Sequence, residues 1–385
     1  MAGPCPMARS QDSFQDALIP TRVVRRPCAH RRRPWTAGWV GGLALLLLLA
    51  PGALPVASAQ DELYVANFIG GDVTVYSRTA NGNVAPLRSF TGMGFANPVA
   101  LALDTINQEI VVSNFSNDAI NVYPRTASGN LLPIRFILSP ELSGPEGVAV
   151  DPFNNEIVVA SENTDAILVF SRTASGTAVA PLRTIQGPAT GLNSPEGIAL
   201  DLFNAEVVVA NAGNNSITVY TRTATGDVAP LRTIQGPATG LSAVGVTVDA
   251  INDEIVVANE ANDSITVYSR TATGDVAPLR TIQGPATGLF FPTGVAVDSV
   301  NNEIAVANFG NDTITIFSRT ASGNVAPLRT VGGPATGMSF SVDVAVSTNP
   351  PIPIIPTLSE LGQLALAGLL MIVSAFLTLR RRRSS

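Results

Sequence analysis

Six near-copies of one passage run through this chain, and a repeat of that length restricts the fold more than any single residue does. Two well-preserved copies read AVGVTVDAINDEIVVANEANDSITVYSRTATGDVAPLRTI from Ala243 and PTGVAVDSVNNEIAVANFGNDTITIFSRTASGNVAPLRTV from Pro292. The Asp that ends the first segment recurs at Asp104, Asp151, Asp201, Asp249 and Asp298, in steps of 47, 50, 48 and 49 residues. Each copy holds four short apolar segments of strand character, separated by NNE, ND and ASGN or ATGD, where Asn, Asp and Gly accept positive φ or bond their own backbone. A period near 48 with four strands per unit predicts the blade of a β-propeller.

The third segment occurs six times, at residues 73–78, 120–125, 167–172, 217–222, 265–270 and 314–319, so the predicted fold is all-β with six four-stranded blades. Pro86, Pro133, Pro181, Pro230, Pro278 and Pro327 open the fourth segment, which suits an outer edge strand where a missing N–H costs nothing. The chain enters the repeat at a second strand, residues 62–67, and leaves after a first strand, residues 342–347. Three N-terminal strands and one C-terminal strand then complete a blade and close the ring, which leaves no long sheet edge unpaired.

Charge is distributed unevenly. All 23 basic residues are Arg: seven precede residue 34, four are Arg380 to Arg383, and 12 lie in the repeat region, two per blade. Of 29 acids only Asp12, Asp16 and Glu360 lie outside that region, so the repeats carry 26 acids against 12 Arg, a net of −14. Such a surface predicts no nucleic-acid partner. The two Cys, Cys5 and Cys28, both precede the repeats, so no disulfide is expected there, and a ring of about 290 residues buries enough surface to need none.

Residues 1–59 read as a signal peptide with a long basic leading region: Arg31 to Arg33 precede an apolar run, and Ala57-Ser58-Ala59 offers a small-residue cleavage site before Gln60. The propeller is assigned to residues 60–348 and a Pro-rich linker to 349–354. Residues 361–379 are 19 uncharged residues followed by four Arg, long enough to cross the inner membrane with the Arg cluster on the cytoplasmic side. The stretch IPTLSELG at 355–362, with Ile355, Pro356, Thr357, Leu358 and Gly362, followed by this apolar run and basic tail, resembles the IPTL-CTERM sorting signal, a relative of the PEP-CTERM signals of Gram-negative bacteria. The resemblance implies processing of residues 355–385 by an exosortase-like protease, then release or attachment at the cell surface. Leu361 stands where that motif usually has Trp. A plain C-terminal anchor is the alternative, and both place the propeller outside the cytoplasm.

The repeat region contains no His, Lys, Cys or Trp, since His30 is the one His and lies in the leader. That removes the usual general base, Schiff-base amine and thiol nucleophile, and with them Ser-His-Asp chemistry and zinc sites built on His or Cys. The two Arg of each blade recur in all six copies, so they are expected to be structural partners of the recurring Asp and Glu. Asn67, Asn114, Asn211, Asn259 and Asn308, with Ser161 in the remaining blade, end the second strands; such amides either cap turns or line a polar channel mouth.

The blades differ at the residue before the first-strand Gly position, which reads Val99, Glu146, Glu196, Val244, Thr293 and Val342. Two adjacent blades thus aim a carboxylate at the mouth. Their PEG context resembles the six-bladed gluconolactonase and senescence-marker proteins, and that resemblance implies a divalent cation, commonly calcium, held by Glu146 and Glu196 with Asn114 and Asn211. The other reading is that these residues are structural or vestigial. LYVANFIGGDVTVYSR at 63–78 and its counterparts resemble the YVTN repeat of bacterial surface proteins and NHL-type propellers, most of which are recognition surfaces. A stretch of twenty residues, RTATGDVAPLRTIQGPATGL, stands unchanged at 222–241 and 270–289, as a recently duplicated surface protein would show. The sequence therefore predicts an exported, monomeric binding or structural module with a surface ligand and no catalysis of its own. The alternative is a calcium-dependent lactonase-like hydrolase.

Overall fold

The structure, a computed structural model, describes residues 61–347. The signal segment, linker, sorting motif and apolar span inferred above lie outside the described residues. Six sheets form a six-bladed β-propeller. One blade runs from the axis outward as Pro292–Asp298, Glu303–Asn308, Thr313–Ser318 and Arg329–Gly332, each strand antiparallel to the last. The second strands of all six blades are buried nearly end to end, because they are covered by blades on both sides, and so they read as continuous apolar runs such as EIVVAN.

Closure follows the predicted pattern. The C-terminal strand Ser341–Ser347 pairs antiparallel with the N-terminal strand Glu62–Asn67, joining Ser347 to Glu62 and Val344 to Val65. Hydrophobic clusters sit between blades rather than within them: Val344 and Val346 pack with Ala305 and Ile316 on one side of the closing sheet, while Val342 and Ala345 pack with Tyr64 and Val112 on the other.

Two boundaries differ from the sequence expectation. The third strands begin one residue earlier, as in Asp72–Ser77, and the outer strands begin at the Arg, as in Arg88–Thr91, so the prolines lie outside them. The segment before each Pro instead crosses to the neighbouring blade, where a Gly forms a short parallel bridge with that blade's outer strand. Val331 meets Gly82, Phe90 meets Gly129, and Ile137, Ile185, Ile234 and Ile282 meet Gly176, Gly226, Gly274 and Gly323. In the first of these Gly82 N donates to Thr330 O at 2.6 Å. The outer edges are thereby covered, which removes the unpaired backbone that an exposed edge would offer another chain.

The recurring Arg are structural. The second Arg of each blade forms a forked pair with the Glu that opens its own second strand, as Arg135 Nη1 and Nη2 do with Glu109 at 2.6 and 2.7 Å. The first Arg reaches the Asp of the preceding blade: Arg172 to Asp104 at 3.3 Å, Arg222 to Asp151 at 3.1 Å and Arg319 to Asp249 at 3.1 Å. Where the closing strand supplies Ser347 in place of that Asp, Arg125 donates to Ser347 and to the Tyr64 hydroxyl. The result is a belt of charge-assisted bonds around the ring, on the face where first strands turn into second strands.

Candidate functional site

The first strands line a central cavity of about 620 Å³. Every first strand carries a β-bulge near its start. Pro98 pairs with Asn114 and Ala100 with Ser113, leaving Val99 unopposed; the same displacement falls at Val244, Thr293 and Val342, and between Pro145 and Val148 and between Pro195 and Ile198. A bulge re-aims the extra residue. The position at which the six copies diverge is therefore the one the backbone turns toward the channel.

The Gly after the bulge residue has a steric cause. A Cβ on Gly147 would lie 2.4 Å from Glu196 O, and one on Gly245 would lie 2.0 Å from Thr293 O, so at the Gly positions the neighbouring strands approach too closely for a side chain, while one blade has Ala100 there. In the closing strand that position is Asp343. Its carboxylate accepts a hydrogen bond from Leu101 N at 2.8 Å, tying the closing strand to the first strand of the next blade.

Glu146 and Glu196 both line the cavity, and Asp343, Glu162 and Glu260 line it with them. Glu162 and Glu260 follow the residue that ends the second strand, where other blades have Phe68, Phe115, Ala212 or Phe309. The mouth is consequently two-sided, with Phe68 and Phe309 on one part of its lining and Glu162 and Glu260 on another. Comparing the copies at the Gly position and just after the second-strand Asn exposes all three added acids, so their signal was present in the sequence.

Asn114 and Asn211 are not part of that lining. Both are fully buried with the amide engaged at each end: Asn114 Oδ1 accepts from Ala96 N at 3.3 Å, and Asn211 Oδ1 accepts from Asn193 N at 3.3 Å while its Nδ2 donates to Thr218 Oγ1 at 3.0 Å. They hold the loop that enters each first strand. Asn67, Asn259 and Asn308 accept from the corresponding loop N–H in the same way, and the Ser161 hydroxyl accepts from Ser143 N. The capping reading of these residues applies, not the channel-lining one. Among the described residues no three acidic, His or Cys side chains converge as a metal cage. Glu146 and Glu196 alone do not supply the six or more oxygens that calcium takes, so the calcium set drawn from the resemblance does not assemble as it stands.

Burial, the Glu196 charge and then Glu162 and Asp343 push the Glu146 carboxyl well above the usual range. Burial, followed by Glu162 and Glu260, raises Glu196 to about 7, and burial raises Asp343 to about 7 despite the backbone N–H groups it accepts from. No Arg lines this cavity. Eleven of the twelve Arg pair with carboxylates elsewhere, and Arg125 is held by Tyr64, Ser347 and Gln108.

This electrostatics has a thermodynamic consequence. Between about pH 4.5 and 7 the folded state keeps protons on Glu196 and Asp343 that the unfolded chain has released, so folding stability is fullest at the acid end of that window and falls as pH rises through it. Thermal melts from pH 4.5 to 8 are expected to show a falling midpoint in the wild type and a flatter profile in Glu196→Gln. An equal slope in both proteins would mean that Glu196 is not held in this way.

A family model described as "Lactonase, 7-bladed beta-propeller" matches residues 49–338, and the chain belongs to that family. Its described residues nevertheless form six blades, not seven. Among solved structures, the crystal structure of a nidogen/laminin complex aligns with a TM-score of 0.58 at 16% identity, over 75% of this chain and 99% of that one. The WD40 β-propeller domain of Doa1 aligns with a TM-score of 0.50 at 13% identity, over 76% of this chain and 88% of that one. At such identities these likenesses concern the fold alone. A search of curated proteins finds no match.

Proposed function

We propose that this chain is an exported binding module whose channel mouth takes a positively charged ligand between Glu146 and Glu196. One observation carries the reading: five carboxyl side chains, Glu146, Glu162, Glu196, Glu260 and Asp343, are distributed along the wall of one cavity that no Arg lines. Like charges in one site resist joint ionisation, so a cation that relieves the repulsion binds more favourably there than at the open surface. Export rests on residues 1–59, and presentation at the membrane or cell surface rests on residues 355–385, the stretch taken as a substrate of an exosortase-like protease. Spermidine and calcium serve as probes of an organic and a metal cation. Spermidine at a hundredfold excess over its dissociation constant is expected to stabilise folding by roughly 2.7 kcal/mol, and calcium at the same concentration is expected to do less, because the wall offers no complete oxygen set for it. The double change Glu146→Gln with Glu196→Gln should abolish that gain. A melting temperature unmoved by both probes would overturn the reading.

A second reading, hydrolysis of a lactone or ester, is favoured by the family match and by Glu196. A carboxyl raised to about 7 sits near the operating pH of a general base. Turnover of a lactone panel that is lost in Glu196→Gln would favour the enzyme; binding without turnover would favour the module.

A further inference from the structure

The face opposite the acidic mouth has a different character. It is formed by the turns from first to second strand, residues 105–108, 152–155, 202–205, 250–253 and 299–302, and each turn places one large apolar residue at the same position. Ile106 is 63% exposed, Phe153 74%, Phe203 89%, Ile251 67% and Val300 45%. A single exposed apolar residue is ordinary; five at equivalent tips of a ring form a patterned surface. These twenty turn residues include one charged side chain, Asp253, which is bound to Arg270 at 2.5 Å, although the propeller as a whole carries a net charge of −14. The Asp and Glu that flank the turns belong to the Arg belt, and all of them are buried except Glu303, which is half-buried. A second set of exposed apolar residues, the Leu or Ile before each outer-strand Arg from Leu87 to Leu328, starts from the same end of the blades.

Both chain ends of the propeller also lie on this face, because Ser347 stands opposite Glu62 where the other blades have their turns. The 13 residues from 348 to 360 separate that point from the uncharged stretch 361–379, a reach of at most about 45 Å. We infer that the face bearing Ile106, Phe153, Phe203, Ile251 and Val300 rests on the surface of a lipid bilayer. The inference rests on reading residues 361–379 as a membrane span. The span tethers the propeller by this face, the apolar tips enter the boundary between headgroups and acyl chains, and the acidic mouth is left pointing at solvent.

The sequence offers a direct test, since its two Trp, Trp35 and Trp39, both lie in the leader. In the full chain with both changed to Phe, one new Trp is placed at a tip, Phe203→Trp, or on the mouth side, Met93→Trp, a position 78% exposed. Each protein is reconstituted into phosphatidylcholine vesicles with brominated acyl chains and recovered by flotation. The tip Trp is expected to lose most of its emission and the mouth Trp to keep it. Flotation with equal emission from the two positions overturns this inference and leaves the span in place. Tips that are unquenched but buried in a dimer would assign the face to a second copy and overturn it as well. Failure to float removes the span and this inference together.

Discussion

A chain that ends at Phe340 is expected not to reach a stable fold, whereas one that ends after Ser347 should keep the propeller. The shortened chain loses the strand that pairs with Glu62–Asn67 and with it the packing of Val344 and Val346 into one inter-blade cluster and of Val342 into the next. Burying a Val side chain contributes about 1.5–3 kcal/mol, so three of them amount to roughly 5–9 kcal/mol as an upper figure, before the lost ladder is counted. A domain of this kind has a net stability of about 5–15 kcal/mol. The loss also removes the Asp343 carboxylate from Leu101 N and the Ser347 hydroxyl from Arg125, two polar ties from the closing strand to the blade of residues 98–138. Circular dichroism and urea melts of the two chains decide the matter. Equal midpoints would show that the ring does not depend on this closure.

The features legible in the sequence were those that repeat with the period of the blade. Strand type, blade number, the closing offset and the pairing of Arg with acid follow from six aligned copies, because each copy repeats the same local demand. What stayed hidden depends on contacts between copies. The parallel bridges from Gly82 to Val331 and its five counterparts join segments of neighbouring blades and leave no mark beyond an ordinary turn Gly. The Asn that end the second strands carry the same side chain whether they cap a loop or line a channel, and only the backbone N–H at Ala96 or Asn193 distinguishes the two. Glu146 and Glu196 were readable because they break a repeat. Asp343, Glu162 and Glu260 break it too, at the two neighbouring positions, and complete a mouth that the pair alone does not define. The family description names seven blades, whereas the described residues of this chain form six.

Substituting Asp249 by Ala is expected to be the most damaging single change outside the closing strand. The Asp249 side chain is completely buried and accepts from Ile251 N and Asn252 N within its own turn while meeting Arg319 of the next blade at 3.1 Å. Arg319 is itself only 8% exposed, so Ala leaves a buried guanidinium without its counter-charge; breaking one side of such a pair costs about 3–5 kcal/mol. Asp249→Asn retains an oxygen for the two turn N–H groups and loses only the charge, so its cost should be smaller, about 1.5–3 kcal/mol for a charged hydrogen bond made neutral. The closing blade shows why the partner matters more than the carboxylate itself. There Ser347 occupies the Asp position, and Arg125 is satisfied by that hydroxyl together with Tyr64 and Gln108. No Tyr stands at the corresponding position beside Arg319, where the second strand has Val256, so Asp249 has no substitute. Urea denaturation of the three proteins at pH 7 should rank them wild type, Asn, Ala, and a midpoint for Ala within error of the wild type would show that the inter-blade belt does not hold the ring together.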